Sequence, residues 1–139
     1  MLDEPVVGVA GVVTCMVLDV SFGWSVLWNV IAALAICAYL ADAFPEAGLA
    51  PPLADRADYY RWLFFAAGPL EAAATNAALG EEAPEAKRGF VGYGGGLEEA
   101  LDALETALTG AYTAGHAFSA ADVYVGSHLG FGMAFGDIP

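Results

Sequence analysis

The chain has 139 residues, the length of one ordinary domain. It carries 17 acidic residues against 4 basic ones, a formal net charge of -13, which excludes binding to nucleic-acid phosphates and docking on an anionic membrane surface. The two cysteines, Cys15 and Cys37, have no CxxC spacing and no histidine cluster near them, so we expect buried thiols in a reducing, cytoplasmic setting.

The first part of the chain is apolar. Residues 6–13 form a β-branched run (VVGVAGVV) that is compatible with a buried strand or a poor helix. Residues 20–41 contain no charged side chain, and a bilayer is crossed by about 20 apolar residues. However, no Lys or Arg flanks this run, and the chain starts with acidic residues where a signal peptide needs positive ones. A membrane span over residues 20–41 is therefore the alternative and not the main expectation.

A linker rich in proline and glycine follows at residues 44–53 and ends the preceding helix. The sequence then predicts a long helix that begins near Asp55, a favourable N-cap, and ends at Gly80. Pro69 lies inside this helix and has no backbone N–H to donate. We therefore expect a kink, and not an end, at the Gly68–Pro69 step.

After a polar, glycine-rich stretch, leucines recur at helical spacing. Leu97, Leu101, Leu104 and Leu108 predict one apolar face of a helix that ends at Gly110, with acidic residues on the remaining surface. The glycines at residues 92–96 lack the Gly-Lys-Ser/Thr ending of a phosphate-binding loop, so we interpret them as a flexible entry to this helix.

The last helix is predicted to start at Ser119. Asp122 follows three residues later, which resembles a capping box with Asp in the usual Glu position. We therefore assign Ser119 and Asp122 to a structural N-cap and not to catalysis, and we expect the helix to end among the glycines near the end of the sequence.

Three segments together resemble parts of the glutathione transferase family. Residues 35–45 (AICAYLADAFP) are similar to the helix that closes its thioredoxin-like domain, and residues 58–63 (DYYRWL) are similar to its first long helix. Residues 118–126 (FSAADVYVG) are similar to the capped central helix of its helical domain. The likeness covers about residues 34–139.

The fold that this resemblance implies is mainly α, a helical bundle like the C-terminal domain of glutathione transferases. It divides the chain into three parts. Residues 1–33 are an apolar segment of uncertain structure, a remnant or replacement of the thioredoxin-like domain. Residues 34–53 are the closing helix and linker, and residues 54–139 are the helical domain.

The resemblance also implies a function. The family conjugates glutathione to hydrophobic electrophiles or reduces peroxides with it, as homodimers, with glutathione as co-substrate; we expect no metal. The helix after the linker lines the pocket for the electrophile in this family. By spacing, the pocket candidates here are Tyr59, Trp62, Phe65 and Pro69, with packing in the protein core as the competing interpretation.

Departures from the family pattern argue against full activity. A Glu-Ser or Asp-Ser pair holds glutathione in the family, whereas the matching positions here are Ala32 and Ala33. Too few residues precede the match for the family's catalytic unit, so the catalytic residue is unknown and the chain is expected to be impaired or inactive. One hypothesis is a shifted reading frame or a truncated gene upstream of about residue 33.

Two other functions stay open: a non-catalytic helical module that dimerises or binds partners, and a protein anchored in a membrane by residues 20–41. No other side chain offers a stronger site. Cys15 has no cation or clear helix cap beside it, as a reactive thiol needs. His116, expected in a loop, and His128, expected on the last helix, have no acid at metal-ligand spacing.

Overall fold

The computed structural model describes residues 25–108, 110–136 and 138. Within these ranges the chain forms five α-helices connected by turns and loops, and none of these residues lies in a strand. The expectation of a mainly helical protein is therefore confirmed. The apolar run at residues 6–13 and the thiol of Cys15 lie outside the described residues.

Helix α1 spans Ser25–Ala43 and crosses the boundary predicted between residues 33 and 34. One face of this helix is buried in the core, with its members at the i, i+1, i+4 and i+8 spacing of a helical stripe: Ala33, Leu34, Cys37 and Ala41. The helix ends before Pro45, since the residue that precedes a proline is disfavoured in helical conformation. Phe44 is indeed non-helical, with φ -124° and ψ 68°.

None of the helices formed by residues 25–138, as far as these are described, combines the length and the apolarity that a membrane span requires. The first five residues of the alternative span at residues 20–41 lie outside the described part of the chain.

Helix α2 (Arg56–Phe65), a π-helical turn (Ala66–Leu70) and helix α3 (Glu71–Leu79) follow one another without a break. The predicted kink at Pro69 is thus a π turn. Pro69 cannot donate to the carbonyl four residues earlier, and the wider turn shifts the pairing so that the amide of Glu71 reaches the carbonyl of Ala66. Gly80 ends α3 in the left-handed region at φ 69°, as the sequence predicts.

Helix α4 spans Leu97–Ala107, so the predicted end at Gly110 is wrong. The backbone of Leu108 has already left the helical region, with ψ 38°. Leu104 is buried, but Leu108 is exposed and gains no burial by extending the helix. The leucine pattern therefore predicts the inner face of α4 correctly and its last turn wrongly.

Helix α5 spans Ala120–Phe135, and its first turn is held by the carboxylate of Asp122. The backbone N–H and the hydroxyl of Ser119 each donate to Oδ2 at 2.8 Å. The backbone N–H and the hydroxyl of Thr113 donate to Oδ1 at 2.7 and 2.9 Å. The capping box predicted from Ser119 and Asp122 is confirmed, and the same carboxylate also secures the preceding loop.

Helix α5 ends at Gly136, which is in the left-handed region at φ 81°. Beyond it, the backbone N–H of Ile138 donates to the carbonyl of Gly132 at 3.2 Å. A Cβ atom on Gly132 would lie 2.6 Å from Cδ1 of Ile138, so a larger residue here would displace the Ile138 side chain.

The core lies between α1, α2, the π turn and α5. Its largest fully buried side chains come from three of these elements: Tyr59, Leu63, Leu70 and Tyr124. The linker joins the same core, because the backbone N–H of Ala120 donates to the carbonyl of Leu49 at 2.8 Å. This bond satisfies one of the free N–H groups at the start of α5 and fixes the linker against it.

Replacement of Asp122 by Ala removes four hydrogen bonds at once. It leaves buried donors of Thr113 and Ser119 without their acceptor. We expect Asp122→Ala to lower the free energy of unfolding by about 2–4 kcal/mol, the cost of losing a cap and leaving buried donors unpaired. Urea unfolding followed by circular dichroism measures the change.

The matched control is Asp102→Ala, since Asp102 is an exposed acidic residue on α4. It should change the free energy of unfolding by less than about 0.5 kcal/mol, as is usual for surface substitutions. Equal unfolding midpoints for the two variants would contradict the structural role of Asp122.

Candidate functional site

The four residues predicted to line a pocket lie on α2 and the π turn. Tyr59 and Trp62 are 1% and 6% exposed and form part of the core. Phe65 and Pro69 are only partly buried. Packing in the core therefore accounts for Tyr59 and Trp62, whereas Phe65 and Pro69 also present apolar surface to the outside. Their role in binding a hydrophobic electrophile stays a prediction.

The structure brings two of the four side chains into direct contact. The rings of Trp62 and Phe65 meet edge to face, with centroids 5.3 Å apart and an interplanar angle of 70°. The guanidinium carbon of Arg61 lies 5.1 Å from the centroid of the Trp62 ring, a cation–π arrangement. The indole of Trp62 therefore contacts both the Phe65 ring and the Arg61 guanidinium.

Arg56, the first residue of α2, connects three parts of the chain beside this site. Its Nη2 atom lies 2.6 Å from Oδ1 of Asp42 near the end of α1. Its Nε–H donates to the carbonyl of Pro51 in the linker at 2.9 Å, and its Nη1–H donates to the hydroxyl of Tyr60 at 3.2 Å. We call Arg56, Asp42 and the Pro51 carbonyl the linker clamp, because they hold the start of α2 against the end of α1.

The hydroxyl of Tyr59 is buried and has no hydrogen-bond partner among the described residues. Burial is the main reason that the pKa of Tyr59 is raised to about 12, and the nearby carboxylate of Asp42 adds to the effect. The phenol is therefore neutral at pH 7. A neutral phenol donates a hydrogen bond and does not act as a base or a nucleophile.

Ala32 and Ala33, which the resemblance aligns with a glutathione-binding pair, lie on α1. Ala33 is buried in the core and Ala32 is exposed. Neither methyl group can form a hydrogen bond to a γ-glutamyl group. One turn on, Cys37 is buried and free, and burial raises the pKa of its thiol, which disfavours the thiolate. Cys37 is therefore a core residue and not a nucleophile, as expected for a buried thiol.

The two histidines lie where the sequence predicts them. His116 is exposed in the loop before α5, and His128 lies on α5. Nδ1 of His128 lies 3.0 Å from the carbonyl oxygen of Tyr124, and its ring meets the Tyr124 ring at 4.7 Å between centroids. The part of the chain that is described contains no group of three or more His, Cys, Asp or Glu side chains that could hold a metal ion.

Two contacts are not predicted from the sequence: the linker clamp and the contact of Thr113 with Asp122. The clamp has a weak signal in the sequence, because one acid and one arginine, Asp42 and Arg56, flank the proline-rich linker. The Thr113 contact has no such signal. Its hydroxyl reaches Asp122 only because the loop between α4 and α5 folds back on the helix start.

Burial lowers the pKa of His128 below its ordinary value of 6.5, although the carbonyl of Tyr124 and the carboxylate of Glu71 oppose this. The folded protein therefore holds His128 neutral, while the unfolded chain takes up a proton at higher pH. The stabilisation is complete above about pH 6.5 and is lost as the pH falls from there through the lower, folded pKa.

We therefore expect the free energy of unfolding to fall more steeply in the wild type than in His128→Gln between about pH 7.5 and about pH 5.5. Urea unfolding at several pH values measures both slopes. His116→Gln, at the exposed histidine, is the control and should keep the wild-type slope. Identical slopes for the wild type and His128→Gln would show that His128 is not responsible.

No protein-family model, no curated protein and no solved structure matches the chain. The likeness to glutathione transferases therefore depends on the three short sequence segments alone.

Proposed function

We propose that residues 34–139 form the helical domain of a glutathione-transferase-like protein, which binds a small hydrophobic electrophile beside α2. We further propose that this chain does not conjugate glutathione efficiently itself. One observation carries the first proposal. The three segments that resemble the family, on α1, α2 and α5, contribute to a single core, in which α5 packs against both α1 and α2.

The order of these contacts supports the proposal further. The resemblance implies a closing helix, a proline-rich linker, a first long helix and a capped central helix. Here Arg56 clamps the linker to the closing helix, and the carbonyl of Leu49 receives the first amide of the capped helix, that of Ala120. The linker is thus hydrogen-bonded at two nearby positions, Leu49 and Pro51, to the first residues of α5 and α2.

The electrophile would contact the outer edge of the aromatic cluster on α2. Phe65 and Pro69 are partly exposed and apolar, and the rings of Phe65 and the buried Trp62 meet edge to face. Binding sites for small apolar molecules are lined by such aromatic and aliphatic side chains, with a few polar groups that orient the ligand.

The proposed lack of efficient conjugation follows from the side chains that α1 carries at residues 32 and 33. A transferase activates the thiol of glutathione with a hydrogen-bond donor and holds the γ-glutamyl end with polar side chains. Ala32 and Ala33 offer neither. The same deficit is compatible with a second function, a non-catalytic helical module that binds partners, and electrophile binding separates the two. The homodimer and the use of glutathione as co-substrate remain proposals by resemblance.

We expect Phe65→Ala to weaken binding of an aryl halide electrophile about tenfold, because its ring forms the accessible part of the cluster. Binding is measured by quenching of tryptophan fluorescence on titration. Phe64→Ala is the matched control, since the neighbouring Phe64 is 62% exposed. It should leave the affinity unchanged. If the wild type does not bind aryl halides, or if both variants bind equally, the proposed site is wrong.

The glutathione side is tested separately, by retention on immobilised glutathione and by spectrophotometric conjugation of glutathione to the same aryl halide. We expect no retention of the protein on immobilised glutathione and no conjugation above the uncatalysed rate. Retention together with turnover would contradict the proposed loss of activity while leaving the family proposal intact.

A further inference from the structure

The connection between α3 and α4 contains the one pair of adjacent basic residues in the sequence, Lys87 and Arg88. The chain has four basic residues in all, and the other two, Arg56 and Arg61, lie on α2. On a chain with a formal net charge of -13, this pair stands out as a local concentration of positive charge. Proteases of trypsin-like specificity recognise such residues, because an acidic pocket binds the basic side chain that precedes the bond they cut.

The backbone around Lys87 is accessible. Residues Glu85–Phe90 form a single 3-10 helix in which no residue is buried. Lys87 and Gly89 are exposed, and Phe90 is 89% exposed. Short 3-10 helices have poor hydrogen-bond geometry, and proteolytic nicking concentrates in exposed connections that bury little apolar surface. The segment can therefore unwind into a protease active site without opening the core.

The basic residues of α2 are protected by the fold. Arg61 is exposed, but it directly precedes the buried Trp62 in the middle of α2, so cleavage after it requires a core helix to unwind. Arg56 is held at the start of α2 by the linker clamp. Of the four bonds that follow a basic residue, the two after Lys87 and Arg88 are therefore the accessible ones.

The two residues of the basic pair differ in their contacts. Nη1 of Arg88 lies 3.5 Å from Oε1 of Glu99 on α4, and Nε lies 3.2 Å from Oε2 of Glu85. The Arg88 side chain also covers the buried Gly95, where a Cβ atom would lie 2.7 Å from Cγ of Arg88. To enter an acidic pocket, Arg88 has to leave these partners. The exposed Lys87 takes part in none of these contacts, so a protease reaches it first.

We propose that the peptide bond between Lys87 and Arg88 is a processing site for a protease of trypsin-like specificity, and that the two products stay associated after cleavage. Water is the only co-reactant. Its hydroxyl joins the carbonyl carbon of Lys87 and its proton goes to the amide nitrogen of Arg88, which leaves a new carboxylate and a new amino group. The proposal is independent of electrophile and glutathione binding.

The association of the products follows from contacts that cross the cut. Helices α1 and α2 belong to residues 1–87, and α5, which packs against both, belongs to residues 88–139. Nδ2 of Asn76 on α3 also donates to the hydroxyl of Tyr93 at 2.6 Å. Cleavage therefore removes the covalent connection between the two products and leaves their shared core in place.

The test is limited digestion of the full folded chain with trypsin, followed by intact-mass measurement and native size-exclusion chromatography. We expect the first products to be residues 1–87 and 88–139. They should form at least about tenfold faster than any product cut after Arg56 or Arg61, because only the exposed connection opens without the core. The two products should elute together, at the volume of the uncut protein.

Two variants locate the cut within the basic pair. Lys87→Gln should slow the first cut at least about threefold, because the remaining Arg88 first has to leave Glu85 and Glu99. Arg88→Gln is the matched control. It keeps Lys87 and removes the contacts that hold the segment to α4, so it should not slow the cut.

Three outcomes would overturn the proposal. A first cut after Arg56 or Arg61 would mean that α2 opens more readily than the connection. A cut that Arg88→Gln slows and Lys87→Gln does not would assign the site to the other bond of the pair. Products that elute separately would mean that the core does not hold them together. The first and third outcomes are read on the wild type, so they do not depend on how either variant folds.

Discussion

The carboxylate of Asp122 is the interaction on which the arrangement of the described helices depends. The first amides of a helix have no partner within the helix, and a buried helix start is stable only if other groups accept their hydrogen bonds. Asp122 accepts bonds from Ser119 and from Thr113, so one carboxylate fixes both the start of α5 and the loop before it. The next amide, of Ala120, binds the linker carbonyl of Leu49. With these hydrogen bonds in place, the start of α5 can be buried in the core against α1, α2 and the π turn.

A second constraint joins the residues on either side of the linker, Asp42 and Arg56. Arg56 contacts Asp42 on α1 and the carbonyl of Pro51, so these contacts hold the start of α2 against the end of α1. Hydrogen bonds to Tyr60 and to Asp42 raise the pKa of Arg56 above its already high value, so the guanidinium keeps its charge. With its start fixed in this way, α2 buries Tyr59 and leaves Phe65 partly exposed. The positions of the site's side chains on α2 thus depend on contacts that Arg56 makes outside the site.

Local signals in the sequence were sufficient for the features that depend on neighbouring residues. The cap at Ser119 and the helix end at Gly80 each follow from side-chain and backbone chemistry within one helical turn. The end of α4 was missed because the stripe of leucines says nothing about whether Leu108 finds a surface to pack on. The Arg56 clamp was missed because it depends on which elements meet in space, whereas at Pro69 the kink was predicted but not its form as a π turn. Of the candidate site, the helix and its aromatic residues were predicted, but the division between buried Tyr59 and accessible Phe65 was not.

Amide hydrogen exchange tests the central role of the Asp122 carboxylate most directly. The amides of Thr113 and Ser119 lie before α5, where no helical hydrogen bond protects them, and each donates to Asp122 at 2.7 and 2.8 Å respectively. If the carboxylate holds the loop and the helix start together, both amides should exchange at least about 100-fold more slowly than in an unstructured peptide. Exchange of both at the unstructured rate, while amides in the middle of α5 stay protected, would contradict the account.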